Sequence, residues 1–380
     1  MTNPALALTT ALLLVGAGLP AQQRPTSKQP LGSTEWAITA ELQLAVTRGH
    51  KWLAAQQHPA GHWSQDIGFK LNSNYQVTKY NAPHPGVTAL ALISFLAGGH
   101  LPGRGEFGQN LERGIDYLLT CVQENGFVTD SGTRMYSHAF ATLFFAEVYG
   151  MTRRQDVKRA LQKSVDLIVD CQNGEGGWRY KPFARESDMS ITVCQVLALR
   201  SARNVGITVP ASTIKAAEQY VRRSAVHDTG NQRPGFGWNH DLLGDGGAFR
   251  YQVTPQSRAT FPLTAAGVTT LYAAGVYDSD EEILRAAFDY MDEQRGTFNL
   301  NYKYHYFFYY GHYYAVQAYY TAGGERWVRY FTEMRDKILL PMQRPDGSWP
   351  CEYGPGDAFA TAVATLILQI PYQYLPIFQR

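Results

Sequence analysis

Two kinds of apolar segment alternate along the chain. In the first kind, apolar residues recur every three or four positions and charges fill the opposite face. Val165, Ile168 and Val169 set against Lys158, Arg159 and Lys163 show the pattern. That spacing predicts an amphipathic helix with one face toward a core and the other toward water. In the second kind, such as GVTALALISFLA (86–97) and ATAVATLILQI (360–370), no face carries charge. A helix of that composition is buried all round. The alternation therefore predicts outer helices paired with inner ones.

Six such pairs are legible. They are 38–57 with 86–97, 111–123 with 136–149, 156–170 with 190–200, 211–226 with 264–274, 280–294 with 309–322, and 326–340 with 358–369. Short turns join them: QQHPAGHW (56–63), QENGF (123–127), QNGEGGW (172–178), GFGW (235–238), GTF (296–298) and QRPDGSW (343–349). Their glycines permit the positive φ of a tight turn. A long polar loop follows the first turn. A longer insertion, 228–258, carries GDGG (244–247) and reads as a cover over one face. The sixth unit is as apolar as the others, which favours a closed ring over an open solenoid with polar end caps. The expected fold is all-α: an α/α toroid (α6/α6 barrel) of six helix-pair repeats around a central cavity, with the aromatic tail 370–380 strapped across one face.

Composition narrows the setting. The chain has 380 residues and a formal net charge of +2 without a basic or acidic block. That argues against nucleic acid or an anionic membrane surface as the main partner. Residues 5–18 are apolar and uncharged and lead into Leu19-Pro20-Ala21. The run is shorter than the roughly 20 residues that span a bilayer, so 1–21 reads as a secretory signal peptide. Residues 22–36 then form a disordered linker, 37–380 a single toroid domain, and the protein is expected to be exported, periplasmic or secreted, with no stable transmembrane segment after cleavage. The cysteines, Cys121, Cys171, Cys194 and Cys351, contain no CxxC. Cys121 and Cys171 hold the same place in successive repeats, where packed helices lie roughly 8–10 Å apart, beyond disulfide reach. They read as small buried thiols. Nothing in the spacing calls for a cofactor or a metal.

The turns QQHPAGHW, QNGEGGW and QRPDGSW resemble the Q-x-x-x-G-x-W repeats of the prenyltransferase and squalene-cyclase superfamily. The resemblance spans 37–380 and implies the same toroid, its outer helices tied together by these turns. The cyclases of that superfamily carry a D-x-D-D motif whose central acid protonates the substrate; here Glu186-Ser187-Asp188 keeps one aspartate in place. The zinc site of the protein prenyltransferases needs an Asp-x-Cys pair and a histidine on an inner helix. His312 resembles the histidine, but the Asp-x-Cys pair is missing. So is the Cys-x-x-Gln of thioester domains that share the ring.

In such a toroid the N-terminal ends of the inner helices face the cavity, and this picks out the candidate residues. Asp188 and His312 are the catalytic candidates; Tyr136, His138, Trp178, Thr192, Tyr310, Tyr313 and Asp357 are ligand-binding candidates. A carboxyl in an apolar cavity is held protonated, as a general acid requires. The same aspartate suits a helix N-cap, which pulls its pKa the other way. His138 reads equally as a neutral histidine bonded to a neighbour. The run YKYHYFFYYGHYYAVQAYY (302–320) supplies aromatic faces that stabilise a carbocation, stack on sugars, or simply pack helix on helix. Three functions remain open: a cyclase- or prenyltransferase-like enzyme with a hydrophobic, isoprenoid- or lipid-like ligand; a secreted, non-catalytic binding or scaffold protein for a glycan or protein; and a polysaccharide-active toroid enzyme.

Overall fold

The charge-free segments become the inner wall of a ring and the amphipathic ones its outer wall. The computed structural model describes residues 34–71, 74–226, 246–277 and 281–379. The expected signal peptide, nearly all of the linker and the GFGW turn at 235–238 lie outside them. The helix pairs run in chain order: α1 (Ala40–Gln56) with α2 (Pro85–Ala97), α3 (Gly108–Thr120) with α4 (Met135–Thr152), and α5 (Gln155–Asp170) with α6 (Met189–Asn204). They continue with α7 (Ala211–Ser224) and α8 (Phe261–Ala273), then α9 (Glu282–Tyr302) and α10 (Tyr306–Ala322). In the last pair α11 (Gly324–Thr332) passes through a π-helical stretch into α12 (Leu340–Met342) and pairs with α13 (Asp357–Gln369). Every residue of α2 and of α8 is buried, whereas α5 buries only one stripe, Val157, Leu161, Val165 and Ile168 among it. The inner helices pack in the order α2, α4, α6, α8, α10, α13, and α13 returns to α2. The ring is closed, as the apolar sixth unit predicts.

The turns explain why successive units stay in register. Trp63, Trp178 and Trp349 are buried, and each donates its indole N–H to the carbonyl ten residues earlier, Leu53, Ile168 and Leu339, at 2.7–2.8 Å. Gln57, Gln172 and Gln343 each donate to two carbonyls: the glycine of their own turn, and Asn110, Thr213 or Ala45 on the following outer helix. The turn glycines, Gly61, Gly126, Gly176, Gly247 and Gly347, sit at φ of +87° to +97°. A Cβ there would lie 2.1–2.6 Å from a carbonyl oxygen of the next outer helix, so only glycine fits. The last of these contacts, Gly347 on Arg48, joins the sixth unit to α1 and seals the seam.

Three expected turns are corrected. The fourth turn is formed by Gly247 and Phe249 within the expected insertion: Phe249 N–H meets Thr264 Oγ1 as Trp178 N–H meets Thr192. In the second turn Val128, not Phe127, occupies the tryptophan place. The expected fifth turn at 296–298 does not exist; α9 runs through it to Tyr302. One glycine inside a helix costs only about 1 kcal/mol, and Phe298 recovers it by packing on Phe261 at 4.9 Å between ring centres. The polar loop after the first turn is also more ordered than expected. It forms a hairpin of β1 (Ser64–Leu71) and β2 (Asn74–Pro83), tied down by Asp66 N–H on the Pro355 carbonyl. The tail segment Pro376–Phe378 packs on α6, as the strap reading predicts. No helix among the described residues is long and apolar enough to cross a membrane.

Candidate functional site

The inner helices all point their N-terminal turns at one cavity of about 400 Å³. Val87, Tyr136, Ser190, Phe261, Tyr310 and Phe359 line it, one from each inner helix. The hairpin contributes Phe69 and Tyr75, and the overlong α9 contributes Phe298 and Tyr302. Loops bring Tyr180 and Tyr251. Phe and Tyr are thus the commonest residues of the wall. Tyr136 meets Tyr180 at 6.1 Å and Tyr310 at 6.4 Å, so these rings form one continuous surface. Among the described lining residues there is no Asp or Glu, and the charged ones are Arg134 and Arg258.

Asp188 stands just behind this wall. It is the N-cap of α6: its Oδ1 accepts from Ile191 N–H at 2.9 Å and from Ser190 Oγ at 2.6 Å. Its other oxygen faces Tyr251, whose hydroxyl donates to Oδ2 at 3.3 Å. Tyr251 in turn shares a 2.6 Å hydrogen bond with the Tyr180 hydroxyl. A chain of hydroxyls therefore leads from the carboxyl to two cavity-lining tyrosines. Burial pushes the Asp188 pKa up to about 6, against the pull of Ser190, Ile191 N–H, Arg179 and Tyr251. A helix cap and a raised carboxyl pKa are thus combined in one residue, and desolvation outweighs the cap. Tyr180 is held above the usual tyrosine range by burial first and by the Asp188 charge second. With Asp188 ionised, hydrogen bonds run from Tyr180 to Tyr251 to the carboxylate. With it protonated, the carboxyl becomes the donor to Tyr251 and the order of donors along the chain reverses.

Residues 31–233, over half the chain, match the family model described as the prenyltransferase alpha-alpha toroid domain. The chain belongs to this family. No curated protein matches the toroid's sequence. Solved structures share its fold at low identity. A protein from Actinoplanes is 14% identical, with a TM-score of 0.53 over 88% of this chain and 99% of its own. An inactive variant of an α-1,6-mannanase from a Salegentibacter species, solved with α-1,6-mannotriose, is 10% identical, with a TM-score of 0.56 over 86% and 98%. A glycoside hydrolase family 76 α-mannanase of Bacteroides thetaiotaomicron is 9% identical, with a TM-score of 0.57 over 88% and 96%. At these identities the likeness is one of fold.

Of the toroid's expected site residues, Tyr136, Tyr310 and Tyr313 line the cavity and Asp188 adjoins it. The others are held in the walls. Trp178 is the tryptophan of the third turn, and Thr192 accepts its backbone N–H while donating to the Asp188 carbonyl. His138 fills the same place in the second unit, its Nδ1 accepting from Val128 N–H at 3.1 Å. Burial drives its pKa down to about 3, so it is neutral. Asp357 accepts from Cys351 N–H and pairs with Arg344. His312 is fully buried away from the cavity, bridging Asn299 of α9 at 2.6 Å and Tyr330 of α11 at 2.9 Å. It joins neighbouring outer helices at the junction that lacks a glycine turn. Among the described residues no three His, Cys, Asp or Glu side chains gather where they could hold a metal. Tyr180, Tyr251, Arg134 and Arg258 were not singled out from the sequence. They lie in loops, outside the periodic segments, and Tyr251 and Arg258 belong to the stretch read as an insertion.

Proposed function

We propose that the toroid holds a hydrophobic, isoprenoid- or lipid-like molecule in its central cavity, and that Asp188 supplies or removes a proton through Tyr251 and Tyr180. The aromatic wall carries this reading. Such a wall takes up apolar surface at about 25 cal/mol per Å² and offers ring faces to a cationic intermediate. Its volume lies within the range of small-molecule sites. Asp188 supports the chemistry because it is the buried carboxyl linked by hydroxyls to the lining residues.

A direct test is native mass spectrometry of the purified chain with organic extraction of whatever co-purifies, followed by turnover of polyprene substrates by the wild type and Asp188→Asn. The expected result is a bound isoprenoid or lipid, and product formation that falls at least about 100-fold in the variant while binding persists. Binding of α-1,6-mannooligosaccharides in place of isoprenoids would support the second reading, a glycan ligand. That reading is favoured by tyrosine faces that stack on sugar rings and by the mannotriose bound to the Salegentibacter relative in fold. We also propose export, on the apolar stretch 5–18 and the small residue after it. N-terminal sequencing of the mature chain is expected to begin near Gln22; an intact Met1 would refute cleavage.

A further inference from the structure

We infer that Arg134 and Arg258 form a binding site for the acidic head group, carboxylate or phosphate, of an amphiphile whose apolar body fills the aromatic cavity. The inference rests on the hydrophobic-ligand reading and narrows it from any apolar molecule to an acid.

Their place on the cavity wall sets these two arginines apart. Arg154, Arg222, Arg295 and Arg326 each meet carboxylates on neighbouring helices. Arg134 and Arg258 line the cavity and, among the described residues, have no ion pair and no side-chain hydrogen bond. Each guanidinium instead lies 5.0 Å over an aromatic ring that also lines the cavity, Arg134 over Phe69 and Arg258 over Tyr251. Stacking fixes the plane of a guanidinium and leaves its N–H edges available for other partners. Those edges match the paired oxygens of a carboxylate or phosphate. The third basic side chain of the lining, His84, is neutral near pH 7, because burial lowers its pKa to about 4.

The backbone adds to the same field. Arg134 is the N-cap residue of α4, and Thr260, another lining residue, is that of α8; neither helix has a side-chain cap. The neighbouring helices α2, α6 and α10 are capped by His84, Asp188 and His305. The uncapped pair directs positive helix ends at the cavity, next to the arginines, where an anion is favoured. The Tyr313 hydroxyl is a second, independent sign of a missing partner. It lines the cavity, is 3% exposed, and makes no hydrogen bond among the described residues. A buried hydroxyl left so is costly unless something occupies the chamber. An amphiphilic acid answers both features, with its head at the arginines and its body or a distal polar group at Tyr313.

The test uses the full chain and four probes: dodecanoate, dodecyl phosphate, 1-dodecanol and acetate, titrated calorimetrically near neutral pH. The wild type is expected to bind one or both long-chain acids at least about tenfold more tightly than the alcohol, a preference that shrinks in high salt, and to bind acetate barely at all. Which acid is preferred tells a carboxylate head from a phosphate head. Arg134→Gln and Arg258→Gln each reduce the preference, the double variant abolishes it, and Arg134→Lys restores part of it. Affinity for the alcohol stays constant throughout, which shows that the variants are folded. If the wild type binds acid and alcohol equally, or the double variant keeps the preference, the head-group site is refuted while the hydrophobic-ligand reading stands. If neither acid nor alcohol binds, the hydrophobic reading fails and this inference fails with it.

Discussion

The Tyr251 hydroxyl lies 3.3 Å from Asp188 Oδ2, so a helix cap and a cavity wall share one carboxyl. The consequence is measurable as pH-dependent stability. The folded-state pKa of Asp188 is raised from 3.8 to about 6. A raised carboxyl binds its proton more tightly in the folded state. Its stabilising contribution is complete below about pH 3.8 and is lost as pH rises through about 6, by on the order of 3 kcal/mol. Asp188→Asn retains an oxygen for Ile191 N–H but cannot ionise. Urea unfolding across this window is expected to show a shallower decline for Asp188→Asn than for the wild type. Tyr251→Phe removes a donor to the ionised form, so it raises the Asp188 pKa further and shifts the decline to higher pH. Identical profiles for all three proteins would sink the linkage.

Glu147 offers a separate window. It is buried on α4, its Oε1 takes a hydrogen bond from Ser201 Oγ at 2.5 Å, and its Oε2 has no partner among the described residues. Burial raises its pKa from 4.5 to about 7, against the pull of the Ser201 hydrogen bond. Stability from this group is complete below about pH 4.5 and disappears as pH passes about 7. His138 and His312 work in the opposite direction, because burial lowers both to about 3 and their stabilisation is lost as pH falls from 6.5. The Glu147→Gln difference isolates the carboxyl: relative to wild type the variant gains on the order of 3 kcal/mol between pH 4.5 and pH 7. A constant difference across that range would contradict the shift.

The third turn predicts contrasting effects of two glycine substitutions. Gly176 has φ +90°, and a Cβ on it would lie 2.4 Å from the Ala216 carbonyl oxygen. Gly176→Ala therefore forces α7 away from the turn and is expected to cost about 2–4 kcal/mol. Gly174, two residues earlier, has an ordinary φ and nothing within 4 Å of an added Cβ. Gly174→Ala is expected to change stability by less than about 0.5 kcal/mol. Gln172→Ala removes the amide that spans Gly176 and Thr213 and lies between them, at about 1–3 kcal/mol. Thermal unfolding of the three variants reads the ranking directly, and comparable losses at both glycines would reject the contact argument.

These turns also show why the sequence revealed the ring but only part of its interior. The inner helices were legible because a charge-free α2 or α13 has no face to offer water. The first, third and sixth turns were legible because glutamine, glycine and tryptophan each perform a separate task there. The fourth is hidden in the sequence because Phe249 does the packing of a tryptophan without its letter, while a Gly-x-Gly-Trp string sits upstream. The fifth resembles a turn in sequence alone, because one glycine does not break a helix whose Phe298 is held by Phe261. The hairpin had its signal, alternating Ile67 and Phe69, but lay between strong helical patterns. Asp188 was visible as a helix start. Its partner Tyr251 is 63 residues away, and no local pattern connects them.

The cysteines carry the last prediction. Cys121 and Cys171 are the C-cap residues of α3 and α5, and all four thiols are free and buried. Burial raises Cys121 and Cys171 to about 11 and Cys351 to about 12, and pushes Cys194 up as well. The thiolate is the species that exchanges with disulfides, so these groups are protected twice, by burial from solvent and by suppressed ionisation. A folded ring of this kind keeps its thiols even in an oxidising compartment. Thiol titration of protein purified in air is expected to find four reactive groups per chain after denaturation and almost none before. Intact mass under non-reducing conditions is expected to equal that of the fully reduced chain. A loss of two hydrogens would mean that a pair of these helices approaches far more closely than the ring allows.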